Sequence, residues 1–421
     1  MSDSKRKVIW AGMLGNCLEL YDYVLYGFFA ALFSKLFFPE GSPLIALIAS
    51  YGIYATGFVF RPLGGLLFGS IGDKLGRKRA MELSVLMMAV PTVLIGLLPT
   101  YASIGLAAPL LLVLMRLLQG MSVGGELVGS YAFLVEHADS DKRYFAGSMT
   151  IVGAFAGKVL GVVVIALLST TLTEQSMESF GWRLPFFLGF FFATAGFFLR
   201  RRVEETPIFL ELKNEGAVVK TPIRDALKHD WGAIGSSIFF LMGQTAPVHL
   251  LFVYFPNYMR TELGMPLSEA LWSNFLALVV AMGAMAVGAK GADRIGAPTV
   301  MRAAFGLFSV LIIPAFLLIA SGSALIVISM HALLSLVFGI AHGPAPTYFI
   351  DFFHAERRVT AGSIAYNLGV LTFGGLAPIA VTLLIAWTGS LAAPSLWILF
   401  CTIGTLISLS RNPLYDRRLS F

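Results

Sequence analysis

The stretch Gly69-Ser-Ile-Gly-Asp73-Lys-Leu-Gly76-Arg77-Lys-Arg79 decides how the whole chain is read. It is a short basic segment between two long apolar runs. Its core (Asp, a base, an apolar residue, Gly) returns 220 residues later as Gly291-Ala-Asp293-Arg294-Ile-Gly296, again between apolar runs. Ala146-Gly147-Ser148 is echoed in the same way by Ala361-Gly362-Ser363. A repeat at this distance in a chain of 421 residues points to two related halves. Composition says what the halves are made of. Hydrophobic residues make up 57% and charged residues 13%, about half the charged share of a soluble domain. This excludes an ordinary soluble enzyme, a disordered chain and a disulfide-stapled domain. It leaves a polytopic helical membrane protein. Cys17 and Cys401 sit in separate apolar runs and form neither a disulfide framework nor a metal spacing. The first apolar run carries Glu19 and Asp22, with no small-residue cleavage site behind it, so it reads as a span and not as a signal peptide.

A bilayer core takes about 20 apolar residues per helix. The runs between charged or Gly/Pro breaks then predict twelve spans, at about 9–36, 46–68, 80–99, 109–134, 144–169, 183–199, 231–257, 268–289, 302–320, 324–350, 360–387 and 394–410. The one long polar segment, 200–229, separates an N-terminal six-helix half (1–199) from a C-terminal one (230–421). With the N-terminus in the cytoplasm, 24 of the 30 Lys and Arg fall on that side, and only Lys35, Arg183 and Arg260 fall outside. The positive-inside rule therefore puts both termini in the cytoplasm, in the inner (plasma) membrane. The net charge of +6 reads as a topology signal and not as a nucleic-acid patch. Two halves joined by a cytoplasmic loop suggest alternating access around a midplane site.

Charge inside a span is costly and marks function by default. Span 1 carries Asn16, Glu19, Asp22, Tyr23 and Tyr26 at helical spacing, and span 4 carries Arg116, Gln119, Ser122, Glu126 and Ser130. Burial favours the neutral acid and a neighbouring guanidinium favours the carboxylate, so a carboxylate opposite an Arg can act as a proton switch. Asp22, Glu19, Arg116 and Glu126 are the proton-coupling candidates. Lys158 stands mid-span in span 5 among Gly153, Gly157 and Gly161 and reads as either a substrate anchor or an internal salt bridge. Tyr26, Gln119, Gln244, His342 and Asn367 complete the substrate-binding set. Gln244 and His342 are chosen because Pro247, Pro344 and Pro346 kink their spans and expose carbonyls. The three span histidines, His249, His331 and His342, fit no metal-ligand spacing, and neither a metal nor a cofactor is expected. No nucleophile elbow, His-Glu-x-x-His or phosphate loop is present to support an enzyme.

The motifs together resemble the major facilitator superfamily along the whole chain, and within it the metabolite:proton symporter family. The Gly69–Arg79 loop resembles the superfamily's loop 2–3 signature. The narrower resemblance rests on Gly15-Asn16-Cys-Leu-Glu19-Leu-Tyr21-Asp22, Arg61-Pro62-Leu-Gly64-Gly65, Arg116-Leu-Leu-Gln119-Gly120-Met-Ser-Val-Gly124-Gly125-Glu126, Gly181-Trp182-Arg183-Leu-Pro185-Phe186 and Glu205-Thr206-Pro207-Ile-Phe209. The resemblance implies a monomeric transporter that takes up a small polar metabolite, either an organic carboxylate or an amino-acid- or betaine-like zwitterion, with protons. Export, or a nutrient sensor on a transporter fold, is the alternative. It also implies a cytoplasmic gate at Gly69, Asp73, Gly76, Arg77 and Asp293, with Arg77 reaching Glu136. Ala297 stands opposite Arg77 in the second loop, so the gate is expected to be stronger in the N-terminal half. Osmosensing relatives end in a long coiled coil, whereas only Arg411–Phe421 follow the last span here, which argues against an osmoregulator.

Overall fold

The computed structural model describes residues 3–39, 53, 57 and 59–409, with side chains excepted at 3–6, 27, 28, 30 and 31. Most of the outer part of the second span and the tail Arg411–Phe421 lie outside the described residues. What is described is helical. Nine helices among these residues are long and apolar enough to cross a membrane, from Arg77–Leu97 to Arg358–Thr388, and they are spans 3 to 11. The 35-residue helix Asp3–Phe37 is span 1, Arg61–Leu75 is the described part of span 2, and Pro394–Ser408 is span 12. The architecture is the expected all-α one of twelve spans in two sets of six.

The repeated loop shows why its glycine recurs. Gly76 is the single residue between the helices Arg61–Leu75 and Arg77–Leu97, at φ 109° and ψ 151°. Gly296 does the same between Leu267–Ile295 and Ala297–Ile319, at φ 85° and ψ 141°. A side chain is strained in that region of backbone space, so a one-residue turn between two long helices requires glycine.

The chain forms two compact units. One comprises Met1–His137 and Gly153–Ile223, and the other Ala138–Val152 and Arg224–Phe421. This differs from a simple cut at the polar segment, because the N-terminal start of span 5 belongs to the second unit. Asp293 is the reason: its two oxygens accept from the backbone N–H groups of Tyr144 (2.8 Å) and Phe145 (3.0 Å). Arg143 pairs with the buried Asp351 at 3.0 Å, and Thr347 donates to the Arg143 carbonyl.

In the first unit, span 5 lies against span 1 through its small-residue stripe. Gly153 abuts the Met13 backbone, Gly157 the Cys17 backbone, and Gly161 Val24 and the Tyr21 carbonyl, as a close-approach face requires. At the other end of span 1, Phe29, Phe33, Phe37, Trp182 and Phe186 form one aromatic cluster. Arg183 beside it donates to the carbonyls of Gly96 and Leu98 at 2.8 Å each, which closes the end of span 3. This gives the Gly181–Phe186 motif a packing role.

Thermal unfolding of the detergent-solubilised protein checks the turn. Gly296→Ala is expected to cost about 1–3 kcal/mol, the strain of a side chain at that φ and ψ. Gly291→Ala, whose new methyl would lie 3.5 Å from Val300 in ordinary contact, is expected to be neutral or stabilising by up to about 1 kcal/mol.

Candidate functional site

The buried charges of the first unit form a chain of contacts between spans 1, 3, 4 and 6. Asp22 and Arg116 face each other as expected, but at 4.0 Å, and a third residue joins them. The Gln119 amide nitrogen donates to Asp22 Oδ2 and to Thr92 Oγ1 (2.9 Å), while its oxygen accepts from Arg116 at 2.9 Å. Gln119 therefore carries the Asp22–Arg116 connection. Both polar atoms of its amide are used within the protein, in three hydrogen bonds. Tyr26 also belongs to this cluster, with the Arg116 guanidinium 4.2 Å from its ring centroid. Asp22 Oδ1 and Glu19 Oε2 are buried and accept no hydrogen bond from the described residues. Both carboxylates line one small cavity together with Arg61, Arg116 and Gln119.

Glu126 has a different environment from the one expected of a proton carrier. Arg200 reaches both of its oxygens, and the Ser84 hydroxyl donates to it as well. Arg200 also donates to the carbonyls of Met81 (2.6 Å) and Ala11 (3.2 Å), so one guanidinium joins span 6 to spans 1, 3 and 4. By sequence, Arg200 opens the polar loop; in the structure it is 2% exposed inside the helix Leu184–Arg201. Its burial was legible in the spacing, because Gly189, Ala193, Gly196 and Arg200 form one helical stripe. The basic run Arg200-Arg201-Arg202 hid it. Thr92 and Ser84 carried no sequence signal, since an isolated hydroxyl in an apolar run is usual.

Lys158 is also buried, at 6% exposure, but it has no ion pair with Glu19, Asp22 or Glu126 among the described residues. Its ammonium lies 4.8 Å from the centroid of the Phe155 ring. Arg61 lies over Tyr23, at 5.3 Å.

At the turn between spans 2 and 3, Arg77 is fully buried. It reaches Glu136 at 3.3 Å, Asp73 at 3.5 Å and the Gly72 carbonyl at 3.0 Å, and it lies over the Phe209 ring. Gly69 is buried in the same helix as Asp73. The motif Glu205–Phe209 docks here. Glu205 accepts from the backbone N–H of Lys78 at the start of span 3, and a side chain on Gly76 would overlap its carboxylate. Thr206 caps the helix Pro207–Asn214. In the second unit, Asp293 caps a helix start in the manner described above.

The other candidates of the second unit divide. His342 Nδ1 and Gln244 Oε1 are 2.6 Å apart, and the His342 ring stacks on Phe338. The Gln244 amide nitrogen is buried without a hydrogen-bond partner among the described residues. Asn367 donates to the Ser363 carbonyl of its own helix. Their spans are broken where the prolines fall. A π-helical turn, Leu250–Tyr254, follows Pro247, and Pro344 separates the helices Ala324–His342 and Ala345–Ile350. A second π turn, Val370–Gly375, interrupts span 11. His331 is a bonded helix contact, held between Ser273 and the Leu251 carbonyl at 2.9 Å each.

Residues 23–371 match the family model of the Major Facilitator Superfamily. The chain belongs to that superfamily. The proline/betaine transporter of Salmonella typhimurium is 32% identical to it, over 98% of this chain and 85% of that protein. The glycine betaine/proline/ectoine/pipecolic acid transporter OusA of Dickeya dadantii is also 32% identical, over 96% of this chain and 82% of that protein. Among solved structures, the proton:xylose symporter XylE superposes with a TM-score of 0.81 at 16% identity, covering 98% of this chain and 96% of that one. The Escherichia coli fucose:proton symporter FucP does so with a TM-score of 0.71 at 12% identity, covering 96% and 99%. These likenesses establish the fold, and with the family they make this superfamily member a membrane transporter and not an enzyme.

The role of Arg200 is open to a double-mutant cycle. Arg200→Met leaves Glu126 buried without its counter-charge and is expected to cost about 3–5 kcal/mol of stability. Adding Glu126→Gln should restore most of that loss. If both single variants melt like the wild type, the pair does not hold the four spans together.

Proposed function

We propose that this transporter imports a small zwitterion of the proline and betaine class together with protons, and that Asp22 carries the proton. The observation that carries the reading is the buried Asp22, tied to Arg116 through one glutamine and open on a cavity it shares with Glu19. The relatives named as proline/betaine transporters support the substrate class. As a carboxylate, Asp22 holds Gln119 and attracts Arg116. Once protonated, it no longer balances the guanidinium, and Gln119 and Arg116 are freed to rearrange. A proton thus changes the contacts between spans 1 and 4, which is the differential interaction that a population shift needs. The clustering of 24 of the 30 Lys and Arg on one side supports cytoplasmic termini in the inner membrane. We take the single chain as the working unit.

Uptake into proteoliposomes tests this. With an inward proton gradient, labelled glycine betaine or proline should accumulate, and Asp22→Asn should abolish accumulation while leaving exchange of labelled for unlabelled solute in place. Unchanged gradient-driven accumulation in Asp22→Asn would remove the residue from coupling. Failure of the wild type to move any solute would remove the importer reading.

We also infer that Arg77, with Asp73 and Glu136, closes the cytoplasmic side, supported by its complete burial among these partners. Arg77→Ala should raise the labelling of pathway cysteines from the cytoplasmic face. Unaltered labelling in a folded variant would reduce the motif to a topology anchor.

A further inference from the structure

We propose that Lys158 is the anchor for the carboxylate of the transported solute, an assignment that rests on the zwitterion reading above and sharpens it. The argument starts from the charges inside the N-terminal six spans. At the cytoplasmic end Glu82 meets Lys78 and Arg79, and Glu136 meets Arg77. At the outer end Lys35 meets Glu178. Between these ends stand four cations, Arg61, Arg116, Lys158 and Arg200, against three carboxylates, Glu19, Asp22 and Glu126. Residues 41–60 add no charge.

The structure assigns two of the carboxylates. Glu126 is held by Arg200, and Asp22 is held by Gln119 in front of Arg116. Glu19 is the one carboxylate left for two cations, and Arg61 stands within electrostatic reach of both Glu19 and Lys158. Lys158 is the group with unspent capacity. An ammonium offers three donors, and among the described residues Lys158 makes neither a hydrogen bond nor an ion pair. The Phe155 ring face is the contact it does make. A ring quadrupole attracts a cation but accepts none of its hydrogen bonds in the way an oxygen does.

A desolvated cation without a partner destabilises the fold that holds it. The span 5 stripe Gly153, Gly157 and Gly161 fixes this helix against span 1, so Lys158 cannot leave by a simple rotation of its helix. The interior of this unit is one negative charge short, and a single carboxylate from outside supplies it. Lys158 then completes its bonding only when solute is bound. Zwitterions that carry a carboxylate meet this demand, whereas a quaternary ammonium alcohol does not.

The test uses the purified full chain with four probes: glycine betaine, L-proline, choline and succinate. Affinity and melting temperature are measured for the wild type, Lys158→Gln and Lys158→Arg. Glycine betaine and proline should bind the wild type, and choline should not. Lys158→Gln should weaken zwitterion binding by about 30-fold or more, the effect of truncating one member of a buried charge pair. Its ligand-free melting temperature should stay level or rise, because an uncompensated charge has been removed. Lys158→Arg should keep the charge but bind less well than the wild type, since its planar fork differs in shape. Unchanged zwitterion affinity in Lys158→Gln would overturn the proposal. Choline binding as tightly as glycine betaine to the wild type would overturn it too, as would a ligand-free Lys158→Gln protein that melts several degrees lower or does not fold, which would reveal an internal partner. If the wild type binds succinate and neither zwitterion, and Lys158→Gln loses succinate, the anchor stands and the zwitterion reading falls.

Discussion

Every charge that enters the hydrocarbon layer must be solvated by protein, because the lipid offers no hydrogen bonds and an isolated charge there costs about 2.5 kcal/mol or more. The first unit meets this constraint with shared partners. One guanidinium, Arg200, serves a carboxylate and two backbone carbonyls, and thereby joins span 6 to three others. One amide, Gln119, serves a carboxylate, a hydroxyl and a guanidinium. The helix arrangement and the polar network are one problem, since moving any of these spans would strand a charge.

The repeated loop rests on a related device. A single glycine in a backbone region closed to other residues turns the chain from one long helix to the next. A carboxylate then sits on exposed N–H groups at a helix start, where the helix dipole and the unpaired donors favour negative charge. Glu205 does this at Lys78 and Asp293 at Tyr144 and Phe145. The first copy adds the buried Arg77, which Asp73 and Glu136 hold in place. The second has Ala297 at the corresponding position and relies on the cap together with the Arg143–Asp351 pair.

These two levels divide the work that a proton-driven transporter needs. Groups with filled bonds, such as Glu126, Arg200 and His331, tie helices together. Groups with an unmet bond are where chemistry can enter. Among the described residues, Asp22 and Glu19 each bury an oxygen without a donor, Gln244 buries an amide nitrogen without an acceptor, and Lys158 meets a ring face. Unsatisfied buried polar groups are expensive, and native proteins hold few of them. Among the described residues such groups also occur on other spans, at Arg116, Asn274, Ser335 and Ser363.

The amino-acid sequence by itself determined the membrane class, the twelve spans, the six-and-six division and the loop repeat, because a bilayer imposes length and apolarity on each helix without reference to its neighbours. It also picked out the charged candidates, since a charge in an apolar run is conspicuous wherever the run packs. Partnership was different. The partner of Glu126 is Arg200, 74 residues away in sequence and read as part of a loop. Whether Asp22 meets Arg116 directly depended on the amide of Gln119 between them, and whether Lys158 was neutralised depended on three carboxylates, none of which reaches it. Only the tertiary structure decided these points, because ion pairs and hydrogen bonds act over a few ångströms in space, and helices that are distant in sequence become neighbours only once they have packed.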